Sequence, residues 1–235
     1  MLNKIAFATV VLLLMIQSCL EDREPLSGYP DTYLRYYNNL LESYDLQWEL
    51  DEVVIDSGQS YGVPDRERFY LDYEEQEVLI RTRNSENDLL IDSLYCFMGV
   101  NGKYMIAIMG TEMNPYLIFE PMDIRIMSNV RFRFLHTSEA MGPVDIYIGG
   151  DQPEHLALTA LDYTQVSEYL HATEEEIGTS IIVTPASKLP NDSTILEYTA
   201  NANFQSPGIY LCILEHVSSS NESSFQMQID PQPRY

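Results

Sequence analysis

The chain has 235 residues, 45% of them hydrophobic and 11% aromatic, with a formal net charge of −23. That hydrophobic share excludes a disordered acidic tail, and so negative a charge excludes the basic footprint that nucleic-acid binding needs. The length allows one large domain or two of about a hundred residues.

The first segment reads as an export signal. Lys4 supplies a positive start, and Ile5 to Ile16 is apolar except for Thr9. The run is shorter than the ~20 residues of a membrane-spanning helix. It closes on Ile16-Gln17-Ser18-Cys19, which resembles a bacterial lipobox. The resemblance implies cleavage after Ser18 and acylation of Cys19; the alternative is an ordinary secretion signal that happens to hold a cysteine. Two or more acyl chains anchor a protein stably, so the membrane is an expected partner through lipid. Removing residues 1–18 takes away Lys4 and no acid, leaving 12 basic and 36 acidic residues, a charge of −24. Anionic lipid would repel such a chain, which makes the anchor more necessary. Leu20-Glu21-Asp22-Arg23-Glu24 follows. It resembles the acidic signal that sends Bacteroidetes lipoproteins to the outer face of the outer membrane; a plain solvated tether is the alternative. The expected order is signal 1–18, tether 19–31, then domains 32–122 and 123–235.

Beyond the tether the pattern is β almost throughout. Val130, Phe132 and Phe134 alternate with Arg131 and Arg133, and Val144, Ile146 and Ile148 alternate with Asp145 and Tyr147. Short runs of period two, split by Gly, Pro, Asn and Asp, predict an all-β fold of antiparallel sandwiches with one wet face per sheet. Gly149-Gly150 predicts a tight hairpin turn.

Three blocks recur in order. Arg35-Tyr36 matches Arg133-Phe134, Asp45–Asp51 matches Asp145–Asp151, and Gly102–Ile108 matches Gly208–Leu214. The last register places Leu94, Cys96 and Met98 opposite Ala200, Ala202 and Phe204. Each copy ends on a further apolar stretch, Tyr116–Phe119 and Phe225–Ile229, expected to be a final strand. The repeat predicts two tandem domains joined near residues 120–129. It places Trp48 on the inward face with Leu46 and Leu50. It also makes Cys96 and Cys212 small core residues of separate copies, not a disulfide pair.

Arg133-Phe-Leu-His-Thr-Ser138, Gly142-Pro-Val-Asp-Ile-Tyr-Ile-Gly-Gly150, Tyr163-Thr-Gln-Val166-Ser-Glu-Tyr169 and Gly208-Ile-Tyr210 together resemble the domain of unknown function family numbered four-three-nine-seven. The resemblance spans about residues 130–216, and reaches about 33–110 only through the repeat. It implies extracytoplasmic Ig-like β-sandwich domains and no particular activity.

No sequence pattern here points to catalysis or a cofactor. His136, His155, His171 and His216 lack zinc spacing. No nucleophile elbow, phosphate loop or dinucleotide fingerprint occurs. The acidic stretch 65–77 lacks the spacing of a calcium loop and reads better as a charged strand edge that resists edge pairing. Asp92-Ser93-Leu94 and Asp192-Ser193-Thr194 resemble a Bacteroidetes O-glycosylation acceptor, and Ser193 is the better candidate because its surroundings are loop-like. The expected function is a non-enzymatic surface lipoprotein for adhesion, recognition or envelope assembly, with a protein or glycan partner. A glycan-binding lipoprotein of a polysaccharide-uptake system is the alternative, and exposed aromatics grouped on one face would favour it.

Overall fold

The computed structural model describes residues 32–42, 44–60, 62, 65–69, 75–122, 129–173, 180–199, 204, 208–218 and 223–232. Cys19, the signal and the tether lie outside them, as does the expected domain junction at 122/123 on its C-terminal side. The described chain is all β, with two short 3-10 turns and no α-helix among the described residues.

Among the described residues sixteen strands form four sheets. The first eight are β1 (Thr32–Leu40), β2 (Leu46–Leu50), β3 (Val53–Gln59), β4 (Asp65–Phe69), β5 (Glu75–Asn84), β6 (Leu90–Gly99), β7 (Lys103–Thr111) and β8 (Asn114–Pro121). The second eight are β9 (Val130–His136), β10 (Val144–Ile148), β11 (Leu156–Leu161), β12 (Leu170–Ala172), β13 (Ser180–Pro185), β14 (Leu196–Thr199), β15 (Gly208–Ser218) and β16 (Ser223–Pro231). In the first set the sheets run β3-β2-β5-β6 and β4-β1-β7-β8; in the second they run β11-β10-β13-β14 and β12-β9-β15-β16. The strand order of the second set repeats that of the first, and both expected final strands are present.

Pairing bears out the repeat register residue by residue. Tyr36 pairs with Ile106 as Phe134 pairs with Cys212. Trp48 pairs with Thr82, and Thr82 with Asp92, as Ile148 pairs with Ile181, and Ile181 with Tyr198. One pair in each set departs from the antiparallel expectation. β1 with β7, and β9 with β15, are parallel. The first and seventh strands of each set are far apart in sequence, which leaves chain enough for the crossover that parallel pairing needs.

The turns differ between the copies. Gly149 does take positive φ, at 97°. The connection to β11, however, is seven residues long and contains a 3-10 turn at Pro153–His155, so it is not a tight hairpin. In the first copy Glu49 and Leu50 stay in the strand. Asp51 and Glu52 make the two-residue turn there, both at positive φ, the geometry that matches strand twist. The Asp51 carboxylate accepts from Leu79 N–H at 2.8 Å, which fixes the turn.

Three buried clusters hold the layers together. Leu34, Tyr36, Leu46, Trp48, Ile80, Met98, Ile106 and Ile108 fill the first sandwich. Phe132, Phe134, Ile146, Val183, Tyr210 and Cys212 are among those filling the second. Trp48 is fully buried, 5.4 Å from the Tyr36 ring, and its indole N–H donates to Gln59 at 2.6 Å. Cys96 and Cys212 are free and buried in separate clusters.

The third cluster overturns the expected wet faces. Tyr33, Tyr37, Met105, Ala107 and Met109 of the first set pack on Leu135, Leu211 and Ile213 of the second. The two inner sheets therefore lie back to back, and their central strands β1, β7, β9 and β15 are buried on both faces. Arg131 and Arg133, expected in water, are 2% and 9% exposed. Their guanidinium groups sit 5.0 and 5.2 Å from the Tyr169 ring centre. Arg133 also donates to Ser167 O, Pro121 O and the Glu120 carboxylate. Asp145 and Tyr147 are buried too. The Asp145 carboxylate is held by the backbone N–H groups of Ala160 and Ser187 at 2.8 and 2.7 Å.

A polar cluster crosses the same junction. Arg35 pairs with Asp230, Tyr37 O–H donates to Asp230 at 2.5 Å, and Gln232 donates to Asp230 at 3.0 Å. Asn39 donates to Glu215 at 3.1 Å. Burial raises the Asp230 carboxyl above its usual range against the pull of Arg35. Burial, and then the charge of Asp230, push the Tyr37 phenol up, so it stays a donor.

Removing one member of a buried ion pair strands the other. Asp230→Ala is therefore expected to lower stability by about 3 kcal/mol in urea unfolding, and Arg35→Met with Asp230→Leu to recover most of it. A loss under about 0.5 kcal/mol for Asp230→Ala would contradict the buried pair. Burial pushes the Cys96 thiol up to about 12, and raises Cys212 as well. A thiol reagent is expected to label neither in the native protein and both after unfolding; native labelling of either would contradict this packing.

Candidate binding groove

A groove of about 460 Å³ opens where the two strand sets meet. Leu41, Asn114 and Tyr116 line it from the first set, and Thr137, Glu139 and Tyr163 from the second. Ligand sites favour such junctions, where rigid elements from two sides converge.

The first wall is the β7–β8 hairpin. Gly110 sits at φ 91° in it. A Cβ there would lie 2.4 Å from Asn114 O and 3.1 Å from the Tyr163 hydroxyl. Glycine is thus what lets the hairpin close on itself and meet the opposite wall. Asn114 N–H donates to Thr111 Oγ1 at 3.1 Å, and Glu112 N–H to Glu42 at 3.0 Å, which ties the hairpin to the end of β1. The tip residue Met113 is 86% exposed.

The second wall hangs on His136 at the end of β9. Its Nε2 lies 2.8 Å from Gly142 O, and Ser138 N–H donates to its Nδ1 at 3.3 Å. Those partners require a neutral ring with the proton on Nε2. Burial lowers its affinity for a second proton, against the opposing pull of Gly142 O and Asp162. Thr137 donates from both N and Oγ1 to Leu214 O, at 2.9 and 3.0 Å. Glu139 begins the 3-10 turn Glu139–Met141, which Met141 plugs into the core. Tyr163 N-terminally flanks Thr164, whose N–H donates to His136 O at 2.9 Å. Burial, and then the charge of Glu139, raise the Tyr163 phenol.

Glu139 is the charged residue in the lining, and no basic side chain lines the groove among the described residues. Phosphate and carboxylate ligands are disfavoured by that charge. The Thr137 and Tyr163 hydroxyls, the Asn114 amide and the Glu139 carboxylate can exchange hydrogen bonds with a neutral, hydroxyl-rich ligand, and the Tyr116 and Tyr163 rings offer apolar faces.

The residues singled out from sequence lie elsewhere. Ser193 follows a turn at the start of the approach to β14, half-buried, its N–H donating to Leu189 O at 3.1 Å. In the acidic stretch, 65–69 is an edge strand and residue 75 onward is β5, while 70–74 lie outside the described residues. No three His, Cys, Asp or Glu side chains converge among the described residues. His171 is exposed, and Glu174 to Glu176 lie outside the described residues. Of the Tyr163–Tyr169 motif, Tyr163 reaches the groove. Val166 bridges Leu135 and joins the shared core, and Tyr169 lies under the two arginines. Sequence marks Tyr116 only as part of a final strand and Thr137 only as part of the Arg133–Ser138 block, and Glu139 falls in no motif; only the fold collects them.

No family model matches the chain, and no curated protein matches it. Solved structures give weak similarities. The product complex of SpuA, a multi-modular glycogen-degrading pneumococcal virulence factor, aligns over 82% of this chain at 12% identity and a TM-score of 0.25. This chain spans 23% of that one. A family 41 carbohydrate-binding module from streptococcal virulence factors, solved for α-glucan recognition, aligns over 77% of this chain and 93% of its own, at 12% identity and a TM-score of 0.24. Similarities at this level carry no argument about ligand.

His136 gives the groove a pH dependence. Its folded affinity for protons is below that of the unfolded chain, whose value is about 6.5. Stability from this residue is complete above pH 6.5 and falls as pH drops from there through the lower folded value, because the unfolded state then binds more protons. His136→Gln is expected to flatten the stability profile between pH 6.5 and 5 relative to wild type. Parallel profiles would contradict the neutral, buried ring.

Proposed function

We propose that this chain is an extracytoplasmic, non-catalytic recognition lipoprotein. Acylated Cys19 and the 19–31 tether hold two Ig-like domains, 32–122 and 123–235, at the outer membrane, facing outward. They belong to the domain of unknown function family named above. The observation that carries the recognition reading is the groove. Its two walls come from different strand sets, yet a shared buried core fixes them to each other. Preorganised walls reduce the ordering cost of binding. Loops at the ends of sandwich strands are also where such scaffolds place their binding residues.

A protein or glycan at the cell surface is the partner class. The glycan-uptake reading is favoured by a specific feature, the uncharged hydroxyl and amide groups that dominate the groove lining. An acidic groove on a chain of formal charge −23 disfavours anionic partners.

Labelled palmitate is expected to enter the wild type and not Cys19→Ala; equal labelling would remove the anchor. Protease added to intact cells is expected to degrade the chain, and full protection on permeability-checked cells would put it in the periplasm. Tyr116→Ala with Glu139→Gln is expected to weaken capture of surface partners at least tenfold at unchanged stability. Turnover of any substrate, abolished by changing one carboxylate, would overturn the non-catalytic assignment.

A further inference from the structure

The outer sheet of the first set, β3-β2-β5-β6, carries an aromatic pair that the groove does not use. Tyr95 and Phe97 are 65% and 69% exposed. They stand two residues apart on β6, the edge strand of that sheet, and so point the same way about 6.5 Å apart. Between them Cys96 turns into the core, and Met98 follows it. Leu79 pairs beside Tyr95, Glu77 beside Phe97, and Arg81 beside Ser93. The result is a small apolar strip with a polar border.

The repeat supplies an internal control. Asp92 and Tyr198 hold equivalent places by pairing, which sets an offset of 106 along this strand. At that offset the inward residues Leu94, Cys96 and Met98 correspond to Ala200, Ala202 and Phe204, apolar in both copies. The outward Tyr95 and Phe97 correspond to Asn201 and Asn203. Rings left two thirds exposed contribute little to folding, so the core does not account for them.

We propose that Tyr95 and Phe97 form a stacking platform for a neutral oligosaccharide chain. Pyranose rings present an apolar C–H face and a hydroxyl edge. The rings here would take the face, and Glu77, Ser93 and Arg81 would take the edge. Area argues against a protein partner. Two rings exposed by about two thirds offer roughly 200–350 Å², whereas a standard protein interface needs about 800 Å² on each side. Ser93 and its cross-strand partner Arg81 lie between Tyr95 and the exposed Leu90, so the apolar area is interrupted that way. Charge argues against an anionic glycan. Glu75, Glu77, Glu49 and Glu52 outnumber Arg81 and Arg83, and Glu49 already pairs with both arginines. This platform is separate from the groove and does not rest on it.

The test is native affinity electrophoresis of the full-length chain carrying Cys19→Ala, through gels containing a soluble neutral α-glucan, β-glucan, mannan or xylan. At least one is expected to retard the protein. Tyr95→Asn with Phe97→Asn, which installs the second copy's residues, is expected to weaken that retardation roughly tenfold or more with an unchanged melting temperature. Leu189→Ala, an exposed apolar residue of the second set outside both the strip and the groove, is expected to leave it intact. Four results would overturn the proposal: no retardation by any of the four, equal retardation of the double variant, stronger retardation by an anionic polysaccharide, or concentration-dependent self-association that the double variant abolishes. Loss of retardation in Glu139→Gln alone would assign the glycan to the groove instead.

Discussion

Two sheets packed back to back set the terms for this molecule. In an ordinary sandwich each sheet has one dry face. Here the central strands of each inner sheet are dry on both, because Tyr37, Met105 and Met109 meet Leu135, Leu211 and Ile213 across the junction. Fully burying each such side chain is worth roughly 2 kcal/mol. The layers thus stack four deep, and the two eight-strand sets share a core in addition to their own.

The polar part of that junction does a different job from the apolar part. Arg35, Tyr37, Asp230 and Gln232 satisfy one another only in part. Arg35 Nε, Gln232 Oε1 and Asn39 Oδ1 are buried without a hydrogen-bond partner. Buried ion pairs commonly add little net stability against apolar replacements. They do penalise every alternative alignment that would strand a charge. The apolar cluster holds the sets together, and the polar cluster selects one alignment. The groove follows from that alignment. Gly110 in one set can approach the Tyr163 hydroxyl in the other only while the sets keep their relative position. Arg133, bonded to Glu120 and Pro121 across the junction, ties the other wall's strand to the chain leaving β8.

Much of the fold was legible in the sequence, for physical reasons that can be named. Alternation at Val130–Phe134 and Val144–Ile148 marks strands because side chains alternate across a pleat. The repeat was legible because both copies keep the same inward residues, and strand pairing reproduces its register. Burial of Trp48, Cys96 and Cys212 followed from that register. The wet-face expectation fails at Arg131 and Arg133, because an arginine that alternates with apolar residues need not face solvent. Tyr169 beneath them and Glu120 beside them make burial tolerable, and both partners are remote in sequence. A signal was present elsewhere. Tyr104–Met109 and Ile209–Leu214 are continuous apolar runs without alternation, the mark of a strand dry on both faces. The groove was not legible, since its residues come from four separate stretches that only tertiary packing unites.

A shared core makes a sharp claim about unfolding, and the lone tryptophan offers a direct way to check it. Trp48 lies in the first sandwich and reports on that one alone. Phe134 lies in the second, in full burial, and its truncation should cost about 3–5 kcal/mol there. The measurement is urea unfolding of the full-length chain followed by Trp48 fluorescence, for wild type and Phe134→Ala. If the back-to-back sheets couple the two sets, the Trp48 transition moves to lower urea in Phe134→Ala and coincides with the loss of β-sheet circular dichroism. A Trp48 midpoint left in place while circular dichroism shows an earlier, separate step would mean that the two sets fold independently and that the junction fixes nothing.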